Sequence, residues 1–262
     1  MEHRSREQEP AAQSPAIIDL HNHILFDIDD GARDVDESLE IARQFVSEGV
    51  RVVAATPHFN PKRQLDGRAE QTLERLRSVQ QALDAAAIPL QVVVGNEILL
   101  TRDTEQLVRD GYAHTLGGGR AVLVEANFDV KQSYLENQLV ALRDAGYQSI
   151  LAHPERCTWM REDPQCAAAL SDTGVVFQLT APSLLGEYGS SVRQTAMWLL
   201  EGGFYASAAS DRHHPSQPRS LADLYISLTK VGGSSLANLL LCENPARLLR
   251  GEPVMPATVS GV

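Results

Sequence analysis

Short apolar runs alternate with longer amphipathic stretches along most of this chain, and nearly every run ends on a histidine or a carboxylate. Ile17 to His23 reads as the first strand. Asp34 to Gly49 reads as a helix: Asp34 with Glu37 has the form of a capping box, Leu39, Ile41, Ala42, Phe45 and Val46 form an apolar stripe, and Gly49 ends it. Arg51 to His58 is almost continuously apolar, as suits a strand buried on both faces. After the polar loop Asn60 to Gly67, Arg68 to Ala87 is a long amphipathic helix. The pattern repeats with strands at Leu90–Val94, Ala121–Val124, Ser149–Ala152, Val175–Leu179 and Phe204–Ala209. Between and after them, helices are expected at 101–109, 134–145, 163–172, 191–201, 221–230 and 235–241, with a short final one from Asn244-Pro245. Such alternation specifies a parallel α/β domain. Seven strands over this length favour a (β/α) barrel, since barrels of about 250 residues form one domain. An open doubly wound sheet is the alternative. No G-x-G-x-x-G turn follows the first strand and there is no P-loop, so nucleotide binding has no support.

The expected organisation is a disordered lead-in over 1–15, one barrel over 16–252 and a loose tail over 253–262. A net charge of −11 argues against a general nucleic-acid or anionic-membrane binder. No apolar run reaches the length of a membrane span, and the polar start lacks the apolar segment of a signal peptide. Three scattered cysteines, Cys157, Cys166 and Cys242, suggest a reducing compartment and a cytoplasmic protein. They also bear on chemistry. A cysteine-dependent phosphatase loop needs arginine six residues after its cysteine, and those positions hold Asp163, Asp172 and Leu248.

On a strand, His21 and His23 share one face and Asn22 points to the other. Alone, such a pair is weak evidence for metal. The rest of the pattern supplies the argument. His58 ends the second strand, Glu97 the third, Glu125 the fourth and His153 the fifth, while Asp211 and His213 end the last. The C-terminal rim is where barrel enzymes place their chemistry. Each residue has an ordinary alternative: Glu125 solvated, His58 and His153 in proline turns, Asp211 capping a helix. Together they place five of the eight histidines and three carboxylates at strand ends. Imidazole and carboxylate without thiolate suit Mn²⁺, Fe²⁺ or Zn²⁺. With Asp30 from the acidic loop, nine ligands are too many for one ion and suit three. Adjacent cations held about 3.5–4 Å apart can activate water and clamp attacking and leaving oxygens, a chemistry natural to phosphate esters.

Two arginines fit that reading. Arg156 lies three residues after His153 and Arg219 six after His213. A guanidinium can grip phosphate oxygens bidentately. The alternatives are salt bridges, Arg156 to Glu155 or Asp163 and Arg219 to Asp223.

The set Asp19-Leu20-His21-Asn22-His23, Asp29-Asp30-Gly31, Thr56-Pro57-His58, Gly95-Asn96-Glu97, Val124-Glu125, His153-Pro154-Glu155-Arg156 and Ser210-Asp211-Arg212-His213 resembles the polymerase-and-histidinol-phosphatase (PHP) superfamily. The Asp-Ile-Asp-Asp-Gly loop, the His-Pro-Glu-Arg turn and Asn244-Pro245-Ala246-Arg247-Leu248-Leu249 are similar to bacterial tyrosine phosphatases of capsule and exopolysaccharide gene clusters. The resemblance runs from Ile17 to Glu252. It implies a distorted (β/α)7 barrel of PHP type with a trinuclear, usually manganese, centre, Fe²⁺, Zn²⁺ or Co²⁺ being the other candidates. The implied ligands are His21, His23, Asp30, His58, Glu97, Glu125, His153, Asp211 and His213. Arg156 and Arg219 are the implied phosphate-binding residues, and His58 is a further catalytic candidate. The loop from His213 to Arg219 is one residue longer than in the family's Gram-positive members. The implied substrate is phosphotyrosine, in particular on the tail of a membrane-associated polysaccharide-chain-length kinase, hydrolysed with no cysteine intermediate. Rival readings are a small-molecule phosphomonoesterase such as a histidinol-phosphate phosphatase, a PHP-type nuclease, and a catalytically dead scaffold that binds the kinase tail.

Overall fold

The computed structural model describes residues 16–63, 67–217 and 220–258; the lead-in over 1–15, Arg219 and the end of the tail lie outside them. The described strands are β1 (Ile17–Asn22), β2 (Val50–Ala55), β3 (His58–Phe59), β4 (Gln91–Val94), β5 (Glu97–Leu99), β6 (Ala121–Glu125), β7 (Gln148–Ala152), β8 (Val176–Thr180) and β9 (Tyr205–Ala209). The described α-helices are α1 (Val35–Ser47), α2 (Arg68–Ala85), α3 (Thr104–Arg109), α4 (Gln132–Asp144), α5 (Thr158–Glu162), α6 (Cys166–Ser171), α7 (Ala181–Leu185), α8 (Ser190–Glu201), α9 (Leu221–Asn238) and α10 (Asn244–Leu249).

All strand pairings are parallel, in the orders β1-β2-β4 and β3-β5-β6-β7-β8-β9. The two sheets are one barrel whose second and third staves are each broken once. Thr56-Pro57 separates β2 from β3, and Gly95-Asn96 separates β4 from β5. Pro57 has no N–H to give to a ladder. Gly95 permits close approach: a Cβ there would lie 2.7 Å from the Leu116 side chain. The breaks are stitched by the Thr56 N–H to Asn22 O at 2.9 Å and the Glu97 N–H to Pro57 O at 3.2 Å. Closure comes from the last stave, where the Asp211 N–H donates to His21 O at 2.9 Å and the His23 N–H to Arg212 O at 2.8 Å. The seven expected strands are therefore seven staves, each followed by helix.

Buried apolar side chains form two layers. Phe45 of α1, Leu83 of α2, Leu139 of α4, Leu199 of α8 and Leu228 of α9 belong to a large core that lies between helices and sheet. A smaller cluster of Leu20, Ala54, Leu123, Ile150 and Ala152, joined by Leu116 and Leu248, fills the barrel interior. Each fully buried leucine, isoleucine or phenylalanine among them contributes about 1.5–3 kcal/mol.

Several boundaries differ from the sequence expectation. The helix expected over 163–172 is α6, starting only after Pro164, and the short α5 just before it was not anticipated. α7 was not anticipated; it starts directly after β8, with Pro182 in its first turn, where the missing N–H costs nothing. The two helices expected over 221–241 run on as α9, kinked at Gly232 and Gly233, and then a π-helical turn over Leu239–Glu243. In the cap of α1, Glu37 reaches the Arg33 N–H at 2.9 Å instead of that of Asp34. Met255 exchanges two hydrogen bonds with the Asn244 side chain, of 2.8 and 2.9 Å, which anchors that part of the tail. Among the described residues no helix is long and apolar enough to cross a membrane.

Candidate metal centre

The nine side chains singled out above come together at the C-terminal mouth. Four overlapping groups each bring one ligand atom per residue within 4.8 Å of one another: His23, Asp30, His58 and His213; His21, His23 and Asp211; His21, Glu97 and His153; His58, Glu97 and Glu125. The backbone explains the convergence. The ladder slips between Asp19 and Asn22, so Leu20 packs in the interior plug while His21 and His23 both reach the site. Asn22 turns elsewhere, donating to Asp19 and to Ala54 O. The broken staves restart with two candidate ligands abreast, His58 pairing in register with Glu97. His153 (φ 36°) and Asp211 (φ 52°) both adopt left-handed backbone conformations that non-glycine residues rarely take. Such strain persists where the surrounding structure enforces it, and it gathers at functional sites.

Glu97 is the hub. Its Oε2 lies 3.2 Å from His21 Nε2, 3.6 Å from His23 Nε2 and 3.0 Å from His58 Nδ1, and its Oε1 lies 2.8 Å from His153 Nε2. Asp211 Oδ1 faces His21, His23 and His213 at 3.4–3.7 Å, and Asp30 Oδ1 faces His58 and His213 at 3.5 and 3.6 Å. Despite this crowding, His21 Nε2, His23 Nε2, His58 Nδ1 and Asp211 Oδ2 are buried with no hydrogen-bond partner. Buried polar atoms left unpaired are costly. Orphaned imidazole nitrogens aimed at carboxylate oxygens are what a cation would satisfy, and the all-nitrogen-and-oxygen set fits hard to borderline divalent ions.

A second ring of residues orients the first. His23 Nδ1 lies 2.7 Å from Asp29 Oδ2, and His21 Nδ1 lies 2.9 Å from Gln178 Oε1. Such contacts fix a ligating imidazole's tautomer and ring plane. Burial raises the Asp29 carboxyl, but His23 and the amides of Gly31 and His58 outweigh it and hold it at about 2. Burial pulls the His21 imidazole down, yet Glu97 and Asp211 raise it to about 9. The same contest, with Glu125 and Glu97 winning over burial, puts His58 at about 11. Glu97, pushed up by burial, is held well below the usual carboxylate range by His21, His153 and His58.

Beside these candidate ligands opens a cleft of 560 Å³. Arg156, Phe128 and Tyr188 line one part of it, and Asn60 and Arg63 belong to another stretch of its lining. The Arg156 guanidinium lies 4.6 Å from the Phe128 ring centroid and 4.4 Å from that of Tyr188, with Asp211 Oδ2 at 3.7 Å. The expected alternative pairing with Glu155 is not seen, since Glu155 is buried and accepts from Tyr205 at 2.8 Å. None of the three cysteines is in a disulfide. Burial lifts the Cys157 thiol to about 12 and those of Cys166 and Cys242 to about 11.

Residues 17–250 match the family model described as capsular polysaccharide synthesis, CpsB/CapC. The chain belongs to the CpsB/CapC family. It is 33% identical over 240 residues to the tyrosine-protein phosphatase YwqE of Bacillus subtilis, covering 91% of this chain and 93% of the relative. It is 26% identical over 239 residues to the tyrosine-protein phosphatase CpsB of Streptococcus pneumoniae, covering 89% and 98%. A solved structure from work on YwqE and CpsB, described there as unique metal-dependent tyrosine phosphatases, superposes with a TM-score of 0.86 at 32% identity, over 94% of this chain and 99% of that one. A prolidase structure at 13% identity and TM-score 0.56 shares the fold.

In this CpsB/CapC chain, four residues of the site escaped sequence reasoning. Asp29 sat beside Asp30 with no signal to separate ligand from supporter. Gln178 was legible as a polar residue inside an apolar strand. Phe128 and Tyr188 lie in loops, where aromatic residues carry no periodicity. Arg219 lies outside the described residues.

Proposed function

We propose that this chain is a metal-dependent protein-tyrosine phosphatase in which His21, His23, Asp30, His58, Glu97, Glu125, His153, Asp211 and His213 hold up to three divalent ions, manganese foremost. The carrying observation is the meeting of these nine side chains with Arg156 at one cleft, while every thiol is held protonated at neutral pH. Divalent ions bound there supply Lewis-acid chemistry, offsetting phosphate charge and lowering the pKa of water. The remaining work falls to the chain. Asp29 and Gln178 orient imidazoles. The Arg156 guanidinium donates to phosphoryl oxygens and stabilises charge that develops on them. Arg219 is the second candidate for that role. The conjugate acid of phenolate has a modest pKa, so the leaving group departs without needing a strong general acid. His58, a third exposed to the cleft, either binds metal or delivers a proton to it.

The membership in a capsular polysaccharide synthesis family supports a phosphotyrosine protein of that process as substrate, and we assign the tail of a membrane-associated tyrosine kinase to that place. The negative net charge and lack of a membrane-crossing helix among the described residues are consistent with a barrel that meets the tail without inserting. Residues 16–252 then form the catalytic domain, and a cytoplasmic location follows from that substrate.

The test is metal content measured alongside hydrolysis of a phosphotyrosine peptide across Mn²⁺, Fe²⁺, Zn²⁺ and Co²⁺, with histidinol phosphate as comparator. Chelation abolishes activity and Mn²⁺ restores it. Full activity of His153→Ala, or faster turnover of histidinol phosphate at equal metal loading, overturns the reading. His58→Ala that keeps its metals but loses kcat assigns His58 to the proton.

A further inference from the structure

Arg156 is held in an unusual way. Its guanidinium lies over two aromatic faces, Phe128 at 4.6 Å and Tyr188 at 4.4 Å. Its closest carboxylate contact among the described residues, Asp211 Oδ2, stands at 3.7 Å, beyond hydrogen-bonding distance. No side-chain hydrogen bond among the described residues uses its five donors. The rings come from different parts of the barrel. Phe128 follows the ligand Glu125 by three residues, and its ring meets His153 edge-on at 5.8 Å. Tyr188 lies between α7 and α8 in a turn bracketed by Gly186 and Gly189, each with φ of 88°. Tyr188 is 40% exposed, and no hydrogen bond among the described residues uses its hydroxyl.

The usual way to fix an arginine is to spend its N–H groups on carboxylates or carbonyls. That pins the side chain but leaves fewer donors for a ligand. Stacking fixes the guanidinium plane while every N–H stays free in that plane. We infer that Phe128 and Tyr188 are positioning residues that clamp Arg156 edge-first toward the metal cluster, with all its donors reserved for the substrate's phosphoryl group. This deepens the phosphatase reading and rests on it only for the identity of the substrate. The clamp contributes by reducing the disorder that Arg156 must lose on binding phosphate. Replacing an aromatic ring with leucine keeps apolar bulk but removes the π-face.

The experiment uses the Mn²⁺-loaded full chain and two readouts, calorimetric binding of inorganic phosphate and kcat and KM on a phosphotyrosine peptide. The variants are Phe128→Leu, Tyr188→Leu, Tyr188→Phe and Arg156→Lys, with each leucine change repeated in the Arg156→Lys background. Each leucine variant weakens phosphate binding about three- to thirtyfold, the range of one cation–π contact, at unchanged metal content. Tyr188→Phe restores wild-type binding. In the Arg156→Lys background the leucine changes have a smaller effect, because an ammonium still sits over the rings but has no planar fork of donors for them to orient. Equal losses in both backgrounds, or no loss from Tyr188→Leu, overturn the clamp. Should Phe128→Leu fail to fold, the exposed Tyr188 still decides. Should the loaded wild type bind phosphate but not hydrolyse phosphotyrosine, the substrate assignment falls while the phosphate cycle still judges the clamp.

Discussion

The Oδ2 atom of Asp29 lies 2.7 Å from Nδ1 of His23 and also accepts the His58 N–H at 2.9 Å. One carboxylate thus orients an imidazole of β1 and fixes the backbone where the second stave restarts. Arg68 ties the same two segments, reaching the carbonyls of Ile28 and His58. Asp29→Ala therefore weakens metal binding about 10–100-fold, with the overall fold kept. Metal titration followed by calorimetry checks this. Wild-type affinity in the variant would leave Asp29 a bystander.

Gly31 closes the loop that carries Asp29 and Asp30. A Cβ on it would fall 2.2 Å from His23 O and 2.5 Å from His23 Cβ. Both atoms belong to a buried residue that cannot retreat. Gly31→Ala must push the acidic loop away from His23, breaking the Gly31 N–H to Asp29 Oδ1 bond of 2.9 Å. The expected cost is about 1–3 kcal/mol of stability, together with a loss of bound metal. Thermal unfolding of the loaded protein and metal analysis measure the two effects. Unchanged values in both would show that the loop has room to spare.

Much of this arrangement was legible in the sequence because a parallel barrel carries its ligands at strand ends. Apolar runs such as Ile17 to Leu20 and Ala121 to Val124 announced strands, and the residues that followed stood out against them. What stayed hidden depends on backbone detail. The slip between Asp19 and Asn22, the breaks at Pro57 and Gly95, and the positive φ of His153 and Asp211 are tertiary solutions without a periodic signature. Roles inside one loop were equally opaque: Asp27, Asp29 and Asp30 look alike, yet Asp27 pairs with Arg75, Asp29 holds His23, and Asp30 faces His58 and His213.

The cysteines give a contrasting prediction. Cys157 is buried with its thiol raised to about 12, so little thiolate exists at neutral pH. Iodoacetamide under native conditions leaves phosphotyrosine hydrolysis within about twofold of untreated enzyme, and Cys157→Ser retains activity wherever it folds. Stoichiometric inactivation by alkylation at Cys157 would point to a cysteine nucleophile.

Arg63 lines the cleft with Asn60, and its guanidinium pairs with no carboxylate among the described residues. A cation at the rim of such a cleft strengthens encounter with a phosphorylated peptide more than it affects the chemical step. Arg63→Ala raises KM about threefold or more at low salt with kcat nearly unchanged, and the difference shrinks as ionic strength rises. Steady-state kinetics across a salt series measure it. A fall in kcat at constant KM would move Arg63 from the rim into the chemistry.

Proton competition sets the last prediction. In the metal-free cluster the carboxylates raise His21 to about 9 and His58 to about 11. Both values lie above the ordinary 6.5 of an unfolded histidine. Their stabilising contribution to the metal-free protein is therefore complete below pH 6.5 and drains away as pH climbs through 9 and beyond. Asp29, lowered to about 2, behaves oppositely: its contribution is present above about 4 and is lost only as pH falls toward 2, outside this window. Cations must displace the imidazole protons, so metal binding strengthens over the same rise in pH that weakens the metal-free protein. The gap in Tm between Mn²⁺-loaded and chelator-stripped protein should widen steadily from pH 6.5 to pH 9. Paired thermal scans at constant free metal measure it. A gap that stays flat or narrows would mean that these histidines do not exchange protons for metal.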